Sequence, residues 1–311
     1  MSGIGVITNP RSRRNRNNPR LAGRLAYVLG KRGDLQQPDG LDAIESAAQR
    51  FLENGVEVVC INGGDGTVHR ALTAMVRVFG DRPLPRVAIL RGGTMNIVAN
   101  SVGVRASAAD MLQQVVDDFH NDAPVAVTTR HLMRIGDQYG FLFGNGIIAR
   151  FLELYYEGGE PTPAKAAWIL GRGVLSTFVQ GAYIRQLMKP WRGEVAIDGE
   201  TIAGDSWTAV AVGTVEQMGL RFKPFNDVSK FPGHMQVVSV GGSVVDLARD
   251  LPRLWLGKSP ARPGNGSAMG TVLQLSGDEE LGYMIDGDFH RAGRELTIQI
   301  GPPVEFLLPR T

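Results

Sequence analysis

The run Asn62-Gly63-Gly64-Asp65-Gly66-Thr67 places one carboxylate among three glycines. A short apolar stretch, Val56 to Ile61, leads into it, and an apolar-periodic segment, Val68 to Phe79, leads out. That pattern predicts a strand, a glycine turn and a helix N-terminus. Glycines let the backbone turn freely and let a ligand come close to the main chain. A helix N-terminus offers N–H groups and partial positive charge, which suit phosphate. Asp65 would then be a carboxylate beside a phosphate, a placement that serves a metal ion or a transferred proton. A second turn, Gly92-Gly93-Thr94-Met95-Asn96, also follows a strand-like run and adds a hydroxyl and an amide. Neither turn ends in Gly-Lys-Ser/Thr, which excludes a P-loop. The first strand ends in Asn9-Pro10-Arg11 without a G-x-G-x-x-G, which excludes the dinucleotide fingerprint.

The elements that must hold these turns alternate through the first third of the chain. Strands are expected at Ile4–Thr8, Val56–Ile61 and Arg86–Leu90. Helices are expected at Pro19–Leu29, over residues 42–53, at Val68–Phe79 and over the stripe Ala108, Leu112, Val115, Val116 and Phe119. Such alternation predicts an α/β domain with a mostly parallel sheet and helices on both faces. Ligands sit at the carboxyl ends of strands in such sheets. Asn9-Pro10, Gly63–Thr67 and Gly92–Asn96 all fall on that edge.

After about residue 124 the character changes. Strand-like runs dominate: Val125–Thr129, His131–Ile135, Glu194–Ile197, Thr208–Val215, Met235–Val240, Thr271–Leu275, Leu281–Ile285, Glu295–Ile300 and Val304–Leu308. Asp198-Gly199 and Asp286-Gly287 are hairpin-turn pairs. The expectation is a mostly antiparallel, β-sandwich-like C-terminal domain over residues 125–302, with a helical insert over 163–188. The N-terminal domain covers 1–124, and the tail 303–311 returns to it.

The chain has 311 residues, 43% of them hydrophobic, and a net charge of +2, ordinary values for a globular protein of two domains. Its single cysteine, Cys60, excludes an intrachain disulfide or a cysteine-rich metal site. Met1 to Pro10 is too short for a signal peptide, and no apolar run approaches a membrane span. A cytoplasmic protein with peripheral contact at the inner membrane face is expected. Arg11, Arg13, Arg14, Arg16, Arg20, Arg24, Lys31 and Arg32 make the N-terminus basic before the first acid, Asp34. Nucleotide phosphates or an anionic membrane would suit that stretch, as would plain solvent. No nucleic-acid partner is expected. The insert mixes Trp168, Phe178, Tyr183 and Trp191 with Arg172, Arg185, Lys189 and Arg192. This composition suits a membrane interface or a cover for the second core.

Three motifs together resemble the diacylglycerol kinase catalytic-domain family, which includes bacterial lipid kinases and sphingosine and ceramide kinases. Asn9-Pro10-Arg11-Ser12 is similar to its opening Asn-Pro segment, and Gly63-Gly64-Asp65-Gly66-Thr67 to its Gly-Gly-Asp-Gly-Thr signature. Gly93-Thr94-Met95-Asn96 is similar to its Gly-Thr-x-Asn turn. Beyond residue 125 the likeness rests on Asn145-Gly146 and Ile285-Asp286-Gly287-Asp288. The resemblance implies an ATP- and Mg²⁺-dependent kinase acting on a membrane lipid. It implies that Asn9, Pro10, Arg11, Ser12, Gly63, Gly64, Asp65, Gly66, Thr67, Gly93, Thr94 and Asn96 form the nucleotide site. It also implies that Asp288, or else Asp286, takes the proton from the lipid hydroxyl, with Asp65 near the phosphates and metal.

The chain departs from the family pattern at several positions. Val68-His69-Arg70 stands where the family has Asn-Glu, and Ile97 where it has Asp after Asn96. Phe231-Pro232-Gly233-His234 lacks the acids tied to a structural metal, so no protein-held metal residue is expected. Asp288 stands where Glu is usual. His69 is expected to be an exposed first-turn histidine, and Asp198-Gly199-Glu200 a hairpin without chemistry. An NAD kinase, which shares the glycine signature, and a nucleotide- or lipid-binding protein without turnover are the alternatives. The sequence leaves the lipid and a homodimer open.

Overall fold

The computed structural model describes residues 3–156 and 189–310. The chain divides into two compact units, one running to Arg130 and resuming at Pro302, the other His131–Gly301. The expected insert over 163–188 lies outside the described residues.

The first unit is built on parallel strands β1 (Ile4–Thr8), β2 (Gly33–Gln36), β3 (Val58–Asn62) and β4 (Arg86–Ile89), in the order β2-β1-β3-β4. All five residues of β1 and of β3 are buried, as central strands covered on both faces must be. Phe306 pairs in parallel with Val87, so the returning C-terminal segment lies beside β4. Between the strands run α1 (Arg13–Arg16), α2 (Leu21–Leu29), α3 (Leu41–Glu53), α4 (Asp65–Phe79), α5 (Ile97–Ser101) and α6 (Ala108–His120). The step from β1 to β2 and the steps from β2 to β3 to β4 go in opposite directions. Right-handed crossovers therefore put α2 on one face and α3 and α4 on the other. The packing of α2 with α6 and of α3 with α4 agrees. Ile44, Ala47, Ala48 and Phe51 form the buried stripe of α3 at helical spacing. His69, expected to be exposed, is 1% exposed. The helix is buried well beyond its apolar stripe, with Thr67, Thr73 and Ala74 also covered, so position 69 is enclosed although it lies beside the stripe.

The second unit is mostly antiparallel. Its elements are β5 (Val127–Ile135), β6 (Gln138–Gly140), β7 (Leu142–Asn145), α7 (Ile147–Tyr156), β8 (Trp191–Ile197), β9 (Glu200–Thr201) and β10 (Ser206–Trp207). They continue as β11 (Ala209–Gly213), β12 (Met235–Val240), α8 (Val244–Trp255), β13 (Asn265–Gly270), β14 (Val272–Gly277), β15 (Gly282–Ile285), β16 (Asp288–Arg291) and β17 (Glu295–Leu307). One layer runs β10-β8-β14-β17, with β9 on β8 and β5 joining β17 to β6; the other runs β13-β12-β11-β7-β15-β16. Met133, Phe143, Trp207, Val237, Leu273 and Ile298 belong to one buried cluster drawn from strands of both layers. Each fully buried side chain of this size contributes about 1.5–3 kcal/mol. The expected α/β plus antiparallel sandwich-like architecture is borne out.

Two differences from the expected elements have clear causes. The runs 125–129 and 131–135 form one strand, β5, and the runs 295–300 and 304–308 form one strand, β17. Gly301-Pro302-Pro303 reads as a break, yet a proline is tolerated where a strand does not need its N–H. The chain also changes layer across single residues in the second unit, at Phe141 between β6 and β7, at Thr208 between β10 and β11 and at Thr271 between β13 and β14.

Candidate functional site

In the first unit the strand order reverses between β1 and β3, and in such sheets ligands bind at the carboxyl ends of the strands at this switch point. The register puts Thr8 opposite Asn62, which sets Asn9 beside the glycine turn. The Asn9 amide N–H donates to the Asn62 carbonyl at 2.9 Å, and Asn9 Nδ2 donates to Thr67 Oγ1 at 2.9 Å. Asn9 Oδ1 accepts from the Arg11 amide, and the Asn9 carbonyl accepts from Asn15 Nδ2. Pro10 and Arg11 are exposed, and Arg11 pairs with Asp39 at 2.8 Å. Ser12 precedes α1, from which the Arg14 amide donates to the Gly92 carbonyl.

The two glycine turns pack backbone on backbone. The Gly92 amide donates to the Gly63 carbonyl at 2.8 Å. A Cβ on Gly93 would stand 2.4 Å from the Gly64 Cα, and one on Gly92 would stand 3.0 Å from the Gly63 Cα. Gly92 and Gly93 are thus required by the contact between the turns, Gly64 is tight against it at 3.3 Å, and Gly63 is required by Thr67 of its own turn. Asn96, at φ 48°, closes the second turn: its Oδ1 accepts from the Gly93 amide and its Nδ2 donates to the Gly93 carbonyl. Thr94 is half-buried in the same turn.

Asp65 ties one turn to the other. Its Oδ1 accepts from the Val98 amide at 3.2 Å, at the start of α5. Burial raises the Asp65 pKa above the ordinary carboxylate value, against the backbone N–H groups of Val98, Ile97, Asp65 and Asn96, which lower it. Beside it stands a basic cluster that motif reading missed. Burial, then Arg14 and Arg105, lower the Arg91 pKa, while Asp65 raises it. These three guanidinium groups and Asp65 therefore share one electrostatic neighbourhood. Arg91 Nη1 donates to the Val104 carbonyl, while its Nε is buried without a partner among the described residues. The signal was present as a charged residue directly before a glycine turn at a strand end.

The residues fit a triphosphate: backbone amides at helix starts, an arginine cluster, and one carboxylate. Among the described residues no group of three His, Cys, Asp or Glu side chains could hold a metal. Magnesium needs only one or two carboxylates when phosphate oxygens supply the rest, so Asp65 fits a nucleotide-borne ion.

Asp286 and Asp288 lie in the second unit. Asp286, at φ 46°, and Gly287 form the turn between β15 and β16. Asp286 is 7% exposed and accepts from the amides of Phe141 (3.0 Å) and Leu142 (2.9 Å). Asp288 is half-buried at the first position of β16. Nearby a cavity of about 480 Å³ is lined by Asn145, Arg150, Trp191, Leu281, Phe289 and Arg291, among others. Asn145 Oδ1 accepts from the Val210 amide, and Arg150 donates to the Lys189 carbonyl. The buried Asn145 Nδ2 and Trp191 Nε1 have no partner among the described residues. Two such donors favour an occupant with acceptor oxygens.

The chain is similar to known proteins in sequence and in fold. Residues 3–127 match the family model of the diacylglycerol kinase catalytic domain. The probable lipid kinase YegS-like of Klebsiella pneumoniae (strain 342) is 29% identical over 182 residues, covering 55% of this chain and 53% of that protein. The match thus spans about half the length of that relative. The probable lipid kinase YegS of Shigella flexneri is 43% identical over 61 residues, 18% of this chain and 20% of that one. A crystal structure of a diacylglycerol kinase from Bacillus anthracis str. Sterne has a TM-score of 0.68 at 15% identity, covering 98% of this chain and 96% of that one. Another crystal structure from that organism reaches 0.74 at 16% identity with the same coverage. The resemblance to the diacylglycerol kinase catalytic-domain family is therefore shown by sequence over residues 3–127, and the likeness of fold extends over nearly the whole chain.

Proposed function

We propose that the protein is an ATP-dependent lipid kinase that transfers the γ-phosphoryl group to the hydroxyl of a diacylglycerol-like or sphingoid- or ceramide-like lipid. The observation that carries this reading is the convergence of Asn9, Gly63–Thr67 and Gly92–Asn96 at the strand switch point beside three arginines. Phosphoryl transfer asks mostly for positioning and charge neutralisation. ATP, with its magnesium, supplies the phosphoryl group and the ion. The amides of the two turns orient the phosphates, and Arg14, Arg91 and Arg105 neutralise them. Asp65 holds the turns in register and offers its carboxylate to the ion. Asn9 and Thr67 fix the entry of α4 through their mutual hydrogen bond.

Asp288 is the proposed base that accepts the lipid hydroxyl proton. Asp286 is assigned to the turn, because its carboxylate is already engaged by two backbone amides. The 480 Å³ cavity beside Phe289 is the proposed seat of the acceptor head, with Asn145 and Trp191 donating to its oxygens. Peripheral contact with a membrane, at the inner face of a cytoplasmic protein, belongs to the same proposal.

The test is phosphate transfer from labelled ATP to a panel of lipids and to NAD, with wild type, Asp65→Asn and Asp288→Asn. A labelled lipid, lost in both variants, is the expected result. Undiminished turnover by both variants would overturn the residue roles. Label in NAD alone would replace the reading by an NAD kinase, and ATP binding without product by a binding protein.

A further inference from the structure

The second unit exposes an apolar tip inside a basic surround. Of six large hydrophobic side chains exposed among the described residues, three lie in it: Phe231 at 47%, Trp255 at 53% and Leu256 at 61%. Trp255 ends α8, and Leu256 follows at its C-cap. The helix is firmly started, since Ser243 and Asp246 form a reciprocal capping box. It is firmly seated too: Leu254 is buried, and Asp250, fully buried, accepts from the Ala261 and Arg262 amides and from Asn265 Nδ2. The exposed pair is thus carried on an anchored element.

The neighbouring chain carries charge of one sign. Residues 221–262 contain seven Lys and Arg side chains against three Asp and no Glu, in a protein whose total is +2. All seven cations are exposed. Of the three acids, Asp250 is buried, Asp246 is held by Ser243, and Asp227 pairs with Lys230. The Lys223 amide donates to the Leu254 carbonyl, the Lys258 amide to the Arg253 carbonyl, and a Cβ on Gly257 would stand 3.6 Å from the Lys223 Cβ. Lys223, Arg253 and Lys258 therefore ring the base of the Trp255–Leu256 tip.

A tryptophan next to leucine, ringed by long cationic side chains, matches the layering of a membrane surface. Indole settles among headgroups, the leucine reaches the acyl boundary, and the cations meet anionic phosphates. We propose that the C-terminal end of α8, with Trp255 and Leu256 at its tip and Lys223, Arg253 and Lys258 around it, docks this protein onto an anionic lipid bilayer. This deepens the lipid-kinase reading by naming where the membrane is met, and it is tested without turnover.

The test is co-sedimentation of the full chain with vesicles of phosphatidylcholine, alone or mixed with phosphatidylglycerol, in the absence of ATP. Wild type is expected to bind the mixed vesicles and to release as salt rises. Trp255→Ala with Leu256→Ala should weaken binding at least tenfold, on the order of the partition lost with two apolar anchors. Lys223→Gln with Arg253→Gln and Lys258→Gln should weaken it by about a hundredfold, roughly fivefold per charge. Circular dichroism and thermal melting confirm that both variants remain folded, since the altered side chains are exposed. Failure of wild type to bind, or equal binding by both variants, would overturn the proposal. A fall from dimer to monomer in the apolar variant, with vesicle binding intact, would overturn it in favour of self-association. Kinase assay of the variants on a short-chain dispersed acceptor keeps the two readings separate. Lost docking with retained turnover supports the proposal, and docking by a protein that phosphorylates no lipid supports it while sinking the kinase reading.

Discussion

Two hairpins in the second unit share a local sequence and a clamp. Ile197-Asp198-Gly199-Glu200 turns β8 into β9, and Ile285-Asp286-Gly287-Asp288 turns β15 into β16. In both the aspartate adopts positive φ, 50° and 46°, followed by a glycine. In both, its carboxylate accepts from two successive backbone amides where a distant strand changes layer. Asp198 takes Thr271 and Val272, and Asp286 takes Phe141 and Leu142. In both, a glycine lies under the preceding isoleucine: a Cβ on Gly270 would meet Ile197 at 2.3 Å, and one on Gly140 would meet Ile285 at 2.4 Å. The difference is exposure. Asp198 and Glu200 lie in solvent, whereas Asp286 is buried and Asp288 half-buried. The Asp-Gly turn is therefore a corner clamp in both places, and the proposal of a catalytic carboxylate two positions later concerns the second alone.

The sharpest way to break that comparison is kinetic. Asp288→Asn should lower kcat by about 10²–10⁴, the span of a lost general base, while Glu200→Gln leaves it unchanged. Equal effects in a lipid-phosphorylation assay would end the distinction. Next in size is stability. Asp286→Ala leaves two buried amides without partners and should cost about 3 kcal/mol in urea unfolding. Asp198→Ala, where water replaces the carboxylate, should cost about 0.5 kcal/mol. Then come the glycines. Gly140→Ala drives a methyl into Ile285 and the Asp286 carboxylate and should cost about 2 kcal/mol. Gly270→Ala meets the buried Ile197 but stays 3.1 Å from the Asp198 carboxylate, against 2.6 Å for Gly140 and Asp286, and should cost about 1 kcal/mol by the same measurement.

The smallest effect is the pH dependence of Asp198. Its slight desolvation raises the pKa, but the Thr271 and Val272 amides, the Thr271 hydroxyl and His234 lower it further, so the net shift is downward. A depressed folded-state pKa gives stability that is present above the unfolded value, about 3.9, and is lost as pH falls through the folded one. Asp198→Asn should flatten the acid limb of the unfolding curve. A steeper limb in the variant would contradict the clamp.

How much of this was legible from sequence differs by residue. β1, β3, β4 and α3, α4 and α6 could be read, because their periodicity is imposed by burial on one or both faces. The helix α8 was missed: Pro252 and its charged residues masked the stripe, although Ser243 with Asp246 three residues on was a usable start signal. β17 was read as two strands because Gly301-Pro302-Pro303 resembles a break. The burial of His69 was not legible because α4 is covered well beyond its apolar stripe, polar Thr67 and Thr73 included. The nucleotide-site motifs were legible as types. Arg91 carried a signal only in its place before a glycine turn at a strand end, and Arg105 carried none, because a lone arginine has no pattern.

By itself the sequence determined the two-unit α/β and β architecture, the glycine turns and the family they resemble, since strand and helix periods and turn chemistry are local. Only the tertiary structure decided that the glycines of the two turns serve each other, and that Asp65 joins them. The same holds for the arginine cluster at Arg91 and for Asp286 being a buried clamp where Asp198 is an exposed one. Those assignments depend on which backbone amides and charges become neighbours across long stretches of chain. A sequence read one residue at a time holds no such distances, and two identical Asp-Gly turns look the same until burial separates them.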